Sequence, residues 1–324
     1  MKTMKWLLRR EFWEHKGAMA WAPAIVGAIM VLLAGTMAVY GASQGKLTGN
    51  ITIVRDAAGT STTVQAVPAE QLQMLANTAS DMYLIAGQPL ILMMSVIAFF
   101  YCLGALFEER RDRSILFWKS LPVSDTQTVL SKVLTAAVVI PVIAVAAGFL
   151  VSILLLLIIG IVFAVNGVNM FGMILSNANF YLAPLRMIGL LPVYLVWALP
   201  TIGWLLMVSA WARSKVFLWA VGTPVILVVV VKWANYLLQT GLNIDWLVEN
   251  IVARGLLGLV PGNWVPLAHI DPHTLAGNNN FVALGNLFTH SWMTLATPQA
   301  LIGAAAGVAM IVAAIRLRRW KDEG

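Results

Sequence analysis

The chain has 324 residues, of which 60% are apolar and only 11% charged, against about 45–50% and about 25% in an ordinary soluble domain. So few charged side chains cannot shell a soluble core of this length, so apolar surface must face lipid, which excludes a soluble enzyme and a disordered chain alike. The net charge of +7 admits either a nucleic-acid partner or one side of a membrane, and the placement of the 21 basic residues separates the two.

Residues 3–16, TMKWLLRREFWEHK, alternate basic and apolar groups. Met4, Leu8 and Phe12 recur at helical spacing with Trp6 and Trp13 on another side, which predicts a helix at the membrane interface within residues 1–19. An ordinary basic flank of the first span is the alternative. The first span is Trp21 to Tyr40. Its length and the preceding Glu11 and Glu14 point to an uncleaved span rather than a removable signal peptide. The loop 41–84 contains ITIVRDAAGTSTTVQAV, which could form a small hairpin, and Pro68-Ala69-Glu70 reads as a helix start. Asn50-Ile51-Thr52 in the same loop is a glycosylation sequon. A second span, Ile85 to Phe107, has Pro89 near its start, where a missing N–H costs least, and contains the single cysteine, Cys102.

The third span, Val133 to Val165, exceeds what about 30 Å of hydrocarbon requires, so it should tilt, kink near Pro141 or project beyond the bilayer. Met187 to Trp211 and Val216 to Leu238 are the fourth and fifth, divided by the polar turn Ala212 to Lys215. The segment 239–298 holds a predicted helix, Asp245 to Leu257, then a Gly/Pro/Asn-rich stretch. Its Trp, Leu and Val content predicts packing on the membrane or on a partner subunit. Leu301 to Leu317 is a marginally short sixth span.

Basic residues fall in alternate connections: Lys2 to Lys16, Arg110 to Lys132, Arg213 with Lys215, and Arg316 to Lys321. The other side has only Lys46, Arg55, Arg186 and Arg254, and Lys232 lies within the fifth span. The positive-inside rule therefore predicts both termini in the cytoplasm, which an even number of spans requires. The positive charge becomes a topological signal, and nucleic acid is not expected as a partner.

The connection 108–132 reads EERRDRSILFWKSLPVSDTQTVLSK. Six consecutive charges of both signs, Glu108, Glu109, Arg110, Arg111, Asp112 and Arg113, precede Ser114-Ile115-Leu116-Phe117-Trp118-Lys119 and a stop at Pro122. Large apolar groups ringed by charge mark a protein contact. Ser124-Asp125-Thr126-Gln127 then matches a capping box, so a new helix begins before the third span. The residues alone fit either a protein-docking segment or a topogenic basic loop with an interfacial Phe-Trp pair.

With an amino-terminal interfacial helix, six spans, large outer loops after spans one and five, and ERRDRSILFWKSLPVSD between spans two and three, nearly the whole chain resembles the permease subunits of ABC-2 type (type V) exporters. The resemblance implies one all-α transmembrane domain over residues 1–324, located in the bacterial cytoplasmic (inner) membrane. It implies a coupling helix at Glu108 to Lys119 that docks on a separate ATPase, a minor second contact at Arg213 and Lys215, and a second permease subunit, identical or different. The short helices between spans five and six would gate the exit. ATP and Mg would be bound by the ATPase. The resemblance leaves the substrate open.

A search for motifs agrees with an outside energy source. Gly41-Ala-Ser-Gln-Gly45-Lys46-Leu47 has the wrong spacing for a phosphate-binding loop and lacks its hydroxyl, and no H-E-x-x-H occurs. The chain is accordingly expected not to be an enzyme. A membrane scaffold or membrane-embedded lipid-modifying enzyme, working through the long outer loop, is the alternative. His269, Asp271 and His273 are ligand types that zinc or copper accepts, but the proline between them and the lack of further ligands favour a solvated turn, and no metal site is expected. Lys232 could face a polar pathway or snorkel to the headgroups.

Overall fold

A computed structural model describes residues 2–44, 69–112, 123–165, 171–239, 243–276 and 282–320. It is 88% helix, with no strands among the described residues. Six helices among the described residues are long and apolar enough to cross a membrane: Gly17–Ser43, Ala76–Arg111, Asp125–Val165, Ala178–Trp211, Leu218–Leu238 and Pro298–Trp320. The hairpin expected around Asp56 and the sequon at Asn50 lie outside the described residues. The helix expected at Ala69 runs Ala69–Met82 and leads into the second span through a tight turn at Tyr83–Gly87. The sixth span is not short. It starts at Pro298 and carries its helix through Arg316, Arg318 and Arg319 to Trp320, because Arg318 finds two acid partners, the buried Glu109 and the half-buried Asp125, that make a charged last turn worth ordering.

Proline sets the course of the odd-numbered spans. The widened turns Gly17–Trp21, Thr135–Val139 and Leu218–Gly222 stand immediately before Pro23, Pro141 and Pro224. A proline inside a helix lacks an N–H and presses its ring on the carbonyl four residues back. Widening the preceding turn relieves that pressure, and the Ala22 and Ile140 N–H groups accordingly donate five residues back, to Gly17 and Thr135. The long third helix thus passes its proline without breaking. Pro89 and Pro192 sit in the first turns of their helices, where no N–H is missed.

Glycine sets how closely spans approach. The fourth and sixth spans make the most extensive helix contact, and a Cβ on Gly203 would lie 2.5 Å from the Gly307 carbonyl oxygen. A Cβ on Gly307 would meet the Leu199 and Pro200 backbone at 2.5–2.8 Å. Gly303 and Gly307 are four apart, the small-residue spacing that lets helix backbones touch in lipid. Gly87 and Gly148 bring the second and third spans together in the same way. The core between these helices includes Leu90, Met94, Trp197, Ile202 and Leu206, all nearly inaccessible. The fifth span is peripheral: none of its most apolar window is buried, against 61% for the fourth.

Part of the segment after the fifth span packs on this chain's own bundle, while Trp246, Ile251 and Leu257 stay exposed. The helix expected at Asp245 to Leu257 is continuous from Ile244 to Leu257. It brings Gly258 against Thr201 and the Trp197 carbonyl. Thr201 lies ten residues into Leu191–Trp211, roughly 15 Å along it, so the segment re-enters the bundle. Arg254 anchors it. Its guanidinium lies 4.5 Å from the Trp197 ring centroid, donates to the Gln299 and Ala300 carbonyls and occupies the space left by the absent side chain of Gly303.

Replacing Gly307 with Leu should prevent the fourth and sixth spans from closing. Size-exclusion chromatography in detergent should show loss of the monodisperse folded protein, while Gly255→Ala, where an added Cβ meets nothing within 4 Å, should elute unchanged.

Candidate functional site

The two termini of the described chain meet at one pole of the bundle, and four helices deliver charge into its interior. Ser124 starts the first of these. Its hydroxyl accepts from the Gln127 N–H at 3.2 Å while the Gln127 side chain accepts from the Ser124 N–H at 3.3 Å, the reciprocal cap expected from the sequence. The helix Asp125–Leu134 then points Lys132 inward, 2% exposed. On the amino-terminal helix Lys2–Glu14, the buried stripe is Leu7 and Glu11, one turn apart, with Met4, Leu8 and Phe12 only half-buried. The second span continues past a turn into Phe107–Arg111, which buries Glu109. The end of the sixth span contributes Arg318.

These groups form one lattice. Lys132 Nζ lies 3.0 Å from Glu11 Oε1 and 3.0 Å from Glu109 Oε1. Arg318 reaches Glu109 Oε2 at 2.6 Å and Asp125 Oδ1 at 3.1 Å. The Tyr101 hydroxyl donates to Glu11 Oε2 at 2.7 Å, and Arg10 approaches Glu109 at 3.6 Å from the rim. A single buried carboxylate would be costly, whereas alternating signs let each charge offset its neighbour. A second clasp involves the fourth span. Ser209 Oγ accepts from the Leu106 and Phe107 N–H groups at 3.1 and 3.0 Å, and Arg110 donates to the Ser209 and Ala212 carbonyls. The short helix Phe107–Arg111 is therefore fixed to the third, fourth and sixth spans.

This geometry divides the residues singled out from the sequence. Glu109 and Arg110 point into the bundle, so part of the mixed-sign run that suggested a protein partner pairs within the chain. Glu108, Arg111 and Asp112 are exposed, as are Arg213 and Lys215 in the turn between spans four and five. Arg111 and Asp112 pair at 3.1 Å on the surface, and Lys215 takes a left-handed conformation with φ 49° that ends the turn. Arg113, Ser114, Phe117, Trp118 and Lys119 lie outside the described residues. Glu11, Tyr101, Asp125, Lys132, Ser209 and Arg318 join the site without a sequence signal that assigns them to it, Asp125 being marked only as part of the capping box. The nearest to such a signal is Glu11, an acid one helical turn from Leu7 on a mainly basic and aromatic helix.

At the opposite pole, Asp271 accepts from the His273 N–H at 2.9 Å and caps a short helix. His269 stands 3.5 Å from Glu249, both exposed. The described residues contain no group of three His, Cys, Asp or Glu able to hold a metal. Lys232 is exposed on the outward side of the fifth span, six residues before its end at Leu238. Compared with known proteins, the chain matches no protein family, no curated protein and no solved structure.

Lys132→Met should leave Glu11 and part of Glu109 uncompensated and destabilise the fold by about 3–5 kcal/mol. Arg111→Ala, at a solvated pair, should change stability by less than about 1 kcal/mol. Denaturant unfolding in detergent would separate the two; equal effects would contradict the lattice.

Proposed function

We propose that the chain is the membrane-spanning permease subunit of an ATP-driven exporter of the ABC-2 kind, with its charged pole in the cytoplasm and its ATPase on a separate chain. The observation that carries this reading is the mechanical character of that pole. A short helix beyond the second span is clasped to the third, fourth and sixth spans, while Glu108, Arg111 and Asp112 face outward beside the exposed Arg213 and Lys215. The concentration of Lys and Arg at this pole supports the orientation.

In this reading, ATP-driven closure of two ATPase subunits displaces the segment Glu108 to Lys119. A displacement of Glu109 carries Lys132 and Arg318 with it, and a displacement of Arg110 carries the Ser209 region of the fourth span. The clasp thereby converts a push on one short helix into a joint movement of three spans, which a flexible loop could not do. ATP and Mg belong to the partner chain, and the permease works as a pair, homo- or heterodimeric. The inner membrane of a bacterium is the corresponding location.

The test uses the exposed residues, because Arg110 variants would damage the fold itself. The combined charge reversal Arg111→Glu, Arg213→Glu and Lys215→Glu should reduce co-purification of the ATPase at least tenfold while leaving the yield and elution of the permease unchanged. Full retention of the ATPase by that variant, or purification of the unaltered chain from its native membrane with no ATPase, would overturn the proposal and favour a scaffold or lipid-modifying enzyme.

A further inference from the structure

At the pole opposite the charge lattice, a cavity of about 330 Å³ opens between the second, third and fourth spans and the re-entrant segment. Its long wall is one face of the second-span helix and the turn before it, from Asp81 through Leu84, Gln88 and Ile91 to Ser95. Fourteen helical residues correspond to roughly 21 Å, so the cavity is a deep slot. Its remaining walls are almost wholly apolar, including Ala144 on the third span, Leu190 on the fourth and the ring of Trp264.

The polar groups are unevenly distributed along this depth. At the deep end the Ser95 hydroxyl donates to its own helix at Leu92, 2.6 Å, and the Tyr194 hydroxyl donates to the Leu259 carbonyl at 3.2 Å. Neither has a proton left to offer, so the deep end presents no free donor to an anionic or carbonyl group, and the apolar side chains around it suit a hydrocarbon body. The mouth is different. Asp81 is exposed there, accepts one hydrogen bond from Asn179 Nδ2 at 2.8 Å, and pairs with no Lys or Arg among the described residues. Gln88 lies two turns below it on the same face.

Two backbone irregularities shape the slot. Ile140, Pro141 and Ala144 line it immediately after the widened turn Thr135–Val139, a kind of helix irregularity that recurs at functional sites. Pro261 and Gly262 close the other side. Gly262 has φ 82°, and a Cβ there would meet nothing within 4 Å, so its bare backbone faces open space. An apolar slot of this volume is within the range of small-molecule sites and gains little from water, which needs two to four polar partners.

We propose that this slot binds an amphipathic amine, its apolar body lying along the second span toward Ser95 and its ammonium held at the mouth by the Asp81 carboxylate. The carboxylate disfavours fatty acids and anionic headgroups, and a lone carboxylate cannot hold a metal ion. The site goes beyond the coupling pole and stands whether or not an ATPase drives the chain.

The test is saturable binding of radiolabelled dodecylamine to the full chain in nanodiscs of zwitterionic lipid, with empty nanodiscs subtracted and dodecanol and dodecanoate as matched probes. Dodecylamine should bind at least tenfold more tightly than either. Asp81→Asn, at an exposed position, should lower its affinity about tenfold to that of dodecanol and leave dodecanol unchanged. Ala144→Met should fill the slot and weaken both. Because that variant could fail to fold, a dodecylamine carrying a diazirine at its chain end should also label the Ile91–Ser95 region of the unaltered protein. Equal affinity for amine and alcohol, an indifferent Asp81→Asn variant, or labelling confined to the outward face of the fifth span would overturn the proposal.

Discussion

A carboxylate sealed from water stays ionised only with cations or hydrogen-bond donors beside it, and the burial of Glu11 and Glu109 imposes that condition on one whole pole of this protein. Two acids shared by Lys132, with Arg318 completing Glu109 and reaching Asp125, require that the amino-terminal helix and the second, third and sixth spans meet at fixed separations. Apolar residues of similar volume could stabilise the same contact as well or better. What they could not do is fix its register, because greasy surfaces slide, whereas a Lys between two carboxylates has one position. The same pole would otherwise be the weakest part of the bundle, since hydrophobic burial gives no preference between helix–helix and helix–lipid contact inside a membrane.

Away from that pole, shape is controlled by residues that lack something. The prolines lack an N–H, and the odd-numbered spans answer with a widened turn just before each of Pro23, Pro141 and Pro224. The glycines lack a side chain, and the fourth and sixth spans answer by bringing backbone to backbone at Gly203 and Gly307. Arg254 uses the gap above Gly303 and the face of Trp197 to lodge a charge where no acid waits for it. Its partners are carbonyls and a π-face, which supply attraction without a second formal charge.

The six long helices were legible because their signal is local: each is a contiguous apolar run, and Ser124 to Gln127 announces its own helix start within four residues. The sixth span was underestimated because its last turn, RLRRW, looks too polar until Arg318 meets Glu109, more than two hundred positions away in sequence. The inner run Glu108 to Arg113 was readable as special but not as divided. Whether Glu109 and Arg110 face a partner or the bundle depends on helix rotation after the turn at Ala105 and Leu106, and neighbouring residues in sequence say nothing about that. The Gly303–Gly307 spacing was present in the sequence, although it states only that some helix can come close and does not name the fourth span.

The re-entrant Arg254 also constrains assembly in time. Its carbonyl partners, Gln299 and Ala300, belong to the sixth span, so until that span is in place the guanidinium has nowhere dry to go and must stay with water at the membrane surface. Glu109 faces a longer wait, from the second span until Arg318 arrives. Early helices therefore enter lipid with unfinished charges near their ends, and insertion of the last helix settles both poles at once: Arg254 at its beginning and Glu109 at its end. A chain interrupted before the sixth span would keep Lys132 between Glu11 and Glu109 but would lack the carbonyls that hold Arg254 and the guanidinium that completes Glu109.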